Sequence, residues 1–197
     1  MPGRSSQLSF HFAIFLEERI PSILLLLRRI LFGCPFRTIP LTKGLFAIVD
    51  PDDYHRLVNF NWHANKSAHT HYAVRYLSSG KGKNKIEYMH HLIIDIPEGL
   101  FCDHINHNGL DNRKANLRPA TLAQNIRHRR KFKSPSRSKY KGLTWRKKEK
   151  TWHVRIYTNG KRIFIGSFKD EFAAAHAYDR AAKQFYGDFA TLNFPEE

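Results

Sequence analysis

A basic stretch that contains almost no apolar side chains divides the sequence and limits how the chain can fold. It runs from Arg129 to Lys139, is rich in Lys, Arg and Ser, and contains Pro135. Such a composition is typical of a linker or an extended arm and cannot form a packed core. Because 197 residues suffice for one large domain or two small ones, we predict a small domain on each side of this stretch.

The predicted organisation has four parts. Residues 1–37 form a poorly defined N-terminal extension, residues 38–128 the first domain, residues 129–137 a basic linker and residues 138–195 the second domain. Charges interrupt the apolar clusters of the extension, so it is too broken for a membrane span of about 20 apolar residues. It also lacks a convincing secretory cleavage site. An amphipathic helix lying on a surface is the alternative for this segment.

The positive charge of the chain is high and clustered. There are 33 Lys and Arg against 17 Asp and Glu, which gives a formal net charge of +16 and a pI near 10.1. Residues 127–150 hold twelve of the basic side chains and one acid. A field of this kind attracts polyanions, and its clustering argues against a role in solubility alone. Nucleic acid is the usual partner, and an anionic membrane surface is the alternative.

The cysteine content excludes one kind of metal site. Only Cys34 and Cys102 are present, and they form no C-x-x-C pair, so we expect no structural zinc and no disulfide framework. This usage fits a reducing interior, and the predicted location is cytoplasmic.

Hydrophobic periodicity and turn residues predict an α+β fold. Thr121 and Gln124 have the spacing of a capping box, which predicts a helix that ends near His128. Asn159-Gly160 is the strongest two-residue hairpin signal, and Asp170 should cap a long helix. The predicted strands lie at 39–44, 45–49, 71–77, 86–89, 100–106 and 116–118 in the first domain, and at 140–146, 151–158 and 162–168 in the second.

One group of polar residues matches the needs of phosphodiester hydrolysis. It comprises Asp103-His104, Asn116 and Asn125. The attacking water must lose a proton, which suits a histidine, and the leaving oxygen needs charge neutralisation, which suits a divalent metal. Asp and Asn oxygens favour Mg²⁺ or Mn²⁺. In a regular strand Asp103 and His104 point to opposite faces, so a bulge or the strand end must re-aim them for both to face a substrate.

This pattern, with the preceding Tyr88-Met-His-His91, resembles the cysteine-free HNH endonucleases of phages and mobile introns. The resemblance spans about residues 38–128 and implies a ββα-metal domain. It implies that His104 is the general base, that Asp103 and Asn125 hold the metal, and that Asn116 positions the base through the loop.

Other residues of this segment have less specific interpretations. Arg113 and Arg118 are predicted phosphate contacts, although a solvated charge is nearly as good an interpretation for either. His90 is assigned to structure or to a phosphate contact rather than to a metal. His107 is either an exposed loop residue or a second proton-transfer group.

The segment from Ser138 to Pro195 resembles the Apetala/ethylene-response-factor DNA-binding domain through its Tyr-x-Gly, Gly-x-Phe, Ala-x-x-Tyr-Asp and Leu-Asn-Phe motifs. The resemblance implies a three-stranded antiparallel sheet that packs on one helix and enters the major groove of DNA. For Trp152, packing in the core is the alternative to a contact with DNA. The predicted DNA contacts in this domain and in the arm before it are Arg127, Arg130, Lys141, Arg146, Lys148, Trp152, Arg155, Tyr157 and Arg162.

Together these features predict a metal-dependent DNA endonuclease that nicks or cuts double-stranded DNA at a preferred site, as homing enzymes do. The alternative from another class is a sequence-specific DNA-binding regulator with an inactive nuclease fold, and an RNA-binding protein is a third option. We expect no membrane partner. The oligomeric state, the target sequence and the physiological metal stay open.

Overall fold

The computed structural model describes Glu17 and residues 19–78, 85–131 and 137–195. The chain divides into two compact units, Met1–Pro119 and Ala120–Glu197, and each combines helices with small sheets. The α+β class is therefore as predicted. The unit boundary lies before the helix that follows Thr121, whereas the predicted linker lies after it. Residues 132–136 of that linker, and residues 1–16 and 18 of the predicted extension, are outside the described residues.

The first unit begins with helix α1 and a β-hairpin. Helix α1 spans Pro21–Phe32, strands β1 and β2 span Arg37–Pro40 and Phe46–Val49, and helix α2 spans Pro51–Leu57. The two strands pair antiparallel around a turn in which Lys43 and Gly44 have φ angles of 64° and 67°. Glu17 holds this hairpin by accepting a 2.7 Å hydrogen bond from Nε of Arg37. The predicted pair of strands around a Lys-Gly turn is confirmed.

A three-stranded antiparallel sheet follows in the order β3-β4-β5. Its strands span His63–Lys66, His71–Leu77 and Lys85–Tyr88, and the last leads directly into helix α3 at Met89–Ile93. Strand β3 has no counterpart among the predicted strands, because its sequence His-Ala-Asn-Lys carries no β-branched side chain. The core of this unit contains Ile39, Val49, Leu57 and Met89, all fully buried.

A second hairpin ends the first unit and carries the Asp-His pair. Strand β6 spans Phe101–His104 and pairs with strand β7, which spans Leu117–Ala120. Between them lies a polar loop with a 3₁₀ turn at Lys114–Asn116. The loop returns to the first hairpin, since the amide of Asn112 donates to the carbonyl of Ile48 at 2.7 Å.

The second unit opens with helix α4 at Leu122–His128, where the predicted capping box is confirmed. Oγ1 of Thr121 accepts from the Gln124 amide at 3.2 Å, and Oε1 of Gln124 accepts from the Thr121 amide at 2.8 Å. Strands β8, β9 and β10 then form an antiparallel sheet in that order. They span Leu143–Arg146, Thr151–Thr158 and Lys161–Phe168, and helix α5 spans Glu171–Tyr186.

Helix α5 packs on one face of the β8-β9-β10 sheet. Val154 and Ile156 of β9 meet Ala174, Tyr178 and Ala182 of α5 in the core of this unit. The small alanine side chains permit this close approach. Asp170 caps the helix by accepting from the Ala173 amide at 2.7 Å. Within the described ranges, no helix has the length and apolarity needed to cross a membrane.

Candidate active site and nucleic-acid interface

His104 ends strand β6 and lies in an enclosed, largely aromatic environment. Only 6% of the residue is exposed. Its ring centroid is 5.1 Å from that of His90, which comes from α3, and 5.6 Å from that of Tyr72, which comes from β4. Nε2 of His104 lies 3.4 Å from Oδ1 of the fully buried Asn112. Three separate elements therefore hold the imidazole in place.

This environment keeps the ring neutral. Burial lowers the pKa of His104, while the hydrogen bond to Asn112 and the charges of Asp103 and Asp111 act in the opposite direction. Burial also lowers the pKa of His90 to about 2, with smaller contributions from His104 and His91. A neutral histidine is the form that can accept a proton.

The bond to Asn112 determines which nitrogen of His104 has the lone pair. The Nδ2 group of Asn112 donates to the carbonyl of Leu110 at 3.2 Å, which orients the amide so that Oδ1 faces the ring. A carbonyl oxygen only accepts hydrogen bonds. The tautomer that forms this contact has its hydrogen on Nε2 and its lone pair on Nδ1.

Asp103 is equally buried, with 4% exposure, but has a different partner. Its Oδ2 accepts a 2.8 Å hydrogen bond from Nε of Arg118, which follows on β7. Cys102 and His104 are two residues apart. One ligand atom of each lies within 4.8 Å of the other and of a ligand atom of His90. Asp103 lies between them in sequence and is not part of that group.

Two arginines that are predicted phosphate contacts bind carboxylates of the first unit. Arg118 is the partner of Asp103. Arg113 makes two hydrogen bonds to Asp111, of 2.8 Å from Nε and 2.6 Å from one terminal nitrogen, and a third to Sγ of Cys34 at 2.8 Å. Sequence proximity to the Asp-His pair could not distinguish a structural ion pair from a ligand contact.

Asn116 closes the loop between β6 and β7. Its Nδ2 donates to the carbonyl of Asp111 at 2.7 Å and its Oδ1 accepts from the amide of Asn106 at 2.9 Å. Asp111 directly precedes Asn112, the partner of the His104 ring. The connection from Asn116 through the loop to the imidazole is therefore short.

The predicted metal ligands belong to different units. The Asp103 carboxylate offers hard oxygens, which are the ligands that a hard divalent cation prefers. Asn125 lies in the first turn of α4 and is half-buried. Its approach to Asp103 stays a prediction.

The solvent-facing side of the β8-β9-β10 sheet is basic and aromatic. Along β9, Trp152, Val154 and Ile156 are buried, and the alternate residues face outward. Strand pairing places Phe164 beside Arg155 and Arg162 beside Tyr157, while Nε of Arg146 lies 3.4 Å from Nδ1 of His153. The outward-facing residues are Arg146, His153, Arg155, Tyr157, Arg162 and Phe164, and we call them the basic sheet face.

Two other predicted DNA contacts have structural roles. Trp152 is only 8% exposed and packs 4.9 Å from Trp145 in the core. Nζ of Lys141 donates to the carbonyls of Arg127 and Arg129, each at 2.6 Å, and so satisfies backbone acceptors at the end of α4. Burial lowers the pKa of this lysine to about 8.

The three remaining predicted contacts of this unit lie nearer the surface. Arg130 and Lys148 are exposed, and the guanidinium of Arg127 lies 5.0 Å from the Tyr186 ring centroid.

The chain is similar to known proteins of two kinds. No family model matches the chain. It is 32% identical over 154 residues to an uncharacterized HNH endonuclease of Acanthamoeba polyphaga mimivirus, a match that covers 77% of this chain and 76% of that protein.

Plant proteins match a shorter part of the chain. An AP2-like ethylene-responsive transcription factor of Arabidopsis thaliana is 36% identical over 72 residues, or 36% of this chain. APETALA2-like protein 2 of Oryza sativa subsp. indica is 42% identical over 57 residues, or 29% of this chain. The chain spans only 15% and 13% of the lengths of these two proteins.

Proposed function

The chain belongs to the HNH endonucleases, and from that premise we propose that it is a metal-dependent endonuclease that hydrolyses phosphodiester bonds of double-stranded DNA at a preferred site, as a homing enzyme does. The observation that supports this most is the neutral, enclosed imidazole of His104 at the end of β6. Surface histidines are neither held by three elements nor shielded in this way.

His104 acts as the general base in this proposal. Nδ1 has the lone pair when Nε2 donates to Asn112, so it accepts the proton of the attacking water. Asn112 then stabilises the orientation of the imidazolium, and Asn116 holds the loop that carries Asn112.

Asp103 and Asn125 would hold a hard divalent cation, Mg²⁺ or Mn²⁺, which when bound supplies positive charge for the leaving oxygen. Carboxylate and amide oxygens are among the hard ligands that suit these cations.

The basic sheet face is proposed to bind the DNA. A strand ribbon fits the major groove, and Arg side chains suit both guanine edges and phosphates. The exposed Arg130 and Lys148 would add phosphate contacts. Linking this weak binder to the nuclease unit raises overall affinity through effective concentration.

We expect log K for DNA binding to fall with log salt at a slope of roughly −5 or steeper, as for about six neutralised phosphates. A flat dependence would remove support for this part.

Cleavage of supercoiled plasmid with Mg²⁺ or Mn²⁺ tests the enzyme assignment. The wild type should nick or linearise the plasmid, while His104→Ala and Asp103→Ala should not. His55→Ala is the matched control, because His55 is exposed on α2 and is not among the contacts described for His104.

A DNA-binding regulator with an inactive nuclease fold is the second candidate. The Arg118 guanidinium favours it, because its ion pair with Oδ2 of Asp103 competes with a metal for that carboxylate. If the wild type binds DNA but leaves it intact with every metal, the regulator is the correct assignment.

A further inference from the structure

We propose that His90, Cys102 and His104 form a binding site for a thiophilic divalent cation such as Zn²⁺, and that occupancy of this site stops cleavage. The inhibitory part rests on the proposed function, whereas the binding part does not. The site is separate from the oxygen ligands proposed for Mg²⁺ or Mn²⁺, since Asp103 is not among its members.

The three side chains converge from two elements that are close in space. Cys102 and His104 lie two residues apart on β6 and so share a face of the strand. His90 reaches the same point from α3, and its ring centroid lies 5.1 Å from that of His104. One ligand atom from each residue lies within 4.8 Å of the other two.

These distances are close to those of a bound ion. A tetrahedral Zn²⁺ with nitrogen and sulfur ligands places its ligand atoms about 3.3–3.8 Å apart. Contraction of the trio by about 1 Å, through small rotations of three side chains, would therefore reach that geometry. His90 and His104 are already buried and Cys102 is half-buried, so little ordering accompanies binding.

The donor set distinguishes between metals. Two imidazole nitrogens and one sulfur suit Zn²⁺ and are poor ligands for Mg²⁺, which demands oxygen. Binding requires the Cys102 thiol to release its proton to solvent, and a solvent molecule would complete the fourth position. The expectation of no zinc rested on the missing C-x-x-C pair, which does not address a site assembled from a helix and a strand.

Inhibition follows from a shared lone pair. The neutral His104 ring offers one lone pair, and the proposed cleavage needs it to accept a proton from water. A cation bound by His104 takes that lone pair. Cleavage supported by Mg²⁺ should then stop although the Mg²⁺ ligands are untouched.

Cobalt titration of the full-length, metal-free protein tests the site directly, because Co²⁺ commonly replaces Zn²⁺ in such sites and gives a sulfur-to-cobalt charge-transfer band. We expect one equivalent to bind with this band and Zn²⁺ to displace it. Cys102→Ser should abolish the band, and Cys34→Ser is the matched control that should keep it. His90→Gln should weaken Zn²⁺ binding at least about 100-fold, since changes outside the ligand shell already cost 10- to 100-fold.

The inhibition is tested with plasmid cleavage in Mg²⁺, each protein being normalised to its own rate without zinc. Zn²⁺ should inhibit the wild type and Cys34→Ser, and its midpoint in Cys102→Ser should rise at least about 100-fold.

Absence of the charge-transfer band in the wild type overturns the site, whatever the protein does to DNA. A band without inhibition, or cleavage supported by Zn²⁺ alone, overturns the inhibitory role. If the wild type cuts no DNA at all, the proposed function fails, and the cobalt titration still decides the site.

Discussion

Replacing Asn116 by alanine should release the loop that holds the partner of His104. The side chain makes two hydrogen bonds within the loop, to the carbonyl of Asp111 and from the amide of Asn106. Asn116→Ala removes both without changing the strands that flank the loop.

The size of the effect follows from burial. The Asp111 carbonyl belongs to a buried residue, and losing its partner costs about 2–3 kcal/mol, while Asn106 is exposed and its amide can turn to water at a cost of about 1 kcal/mol or less. The loop should therefore be destabilised by about 2–4 kcal/mol, which corresponds to an opening equilibrium about 30- to 700-fold larger.

Hydrogen exchange of the loop amides measures that opening. The amide of Asn106 should exchange faster in Asn116→Ala by roughly the same factor. Because Asn112 moves with the loop, kcat/KM for plasmid cleavage should fall about 10- to 100-fold, and the affinity for DNA should be unchanged.

Asn59→Ala is the matched control. Its side chain makes one long hydrogen bond on the surface of the same unit, at 3.5 Å to the carbonyl of His55. Asn116 does not hold the loop if Asn116→Ala leaves the exchange of the Asn106 amide within about threefold of the wild type. The loop does not position His104 if it opens and cleavage is unaffected.

Three further predictions concern the second unit. Trp152→Ala should lower the free energy of unfolding of this unit by about 3–5 kcal/mol in urea, as expected of a core aromatic. Tyr157→Ala should weaken DNA binding with little loss of stability. A stable Trp152→Ala variant that binds DNA weakly would place Trp152 on the binding face. Arg155→Ala should weaken binding and reduce the salt slope by about 1 if it contacts phosphate, and an unchanged slope and affinity would remove it from the interface. Burial lowers the pKa of Lys141 in the folded state from 10.5 to about 8. Between these pH values the lysine is protonated in the unfolded chain and largely neutral in the folded protein. Stability should therefore rise with pH between those values, and Lys141→Met should lack that rise while keeping the salt slope; a variant with the wild-type pH profile would contradict this.

Local signals in the sequence were sufficient for several of the elements and for the family. The capping box of Thr121 and the Asn159-Gly160 turn involve residues at most three apart, so their geometry depends little on the rest of the chain. The Asp103-His104 pair and the spaced asparagines likewise lie in one continuous segment. A motif of this kind can be recognised without knowing what surrounds it.

Only tertiary structure decided which polar groups meet. Arg118 and Lys141 are predicted DNA contacts, and the structure shows partners that the sequence did not indicate: Asp103 for Arg118 and backbone carbonyls at the end of α4 for Lys141. His90 was assigned to structure or to a phosphate contact, yet α3, which contacts β4 and β5, places a ligand atom of His90 within 4.8 Å of ligand atoms of His104 and Cys102. Charge and spacing show that a side chain can bind a phosphate, a carboxylate or a metal. Which of these it meets depends on contacts between elements that are distant in sequence, and those contacts arise from the packing of the whole unit.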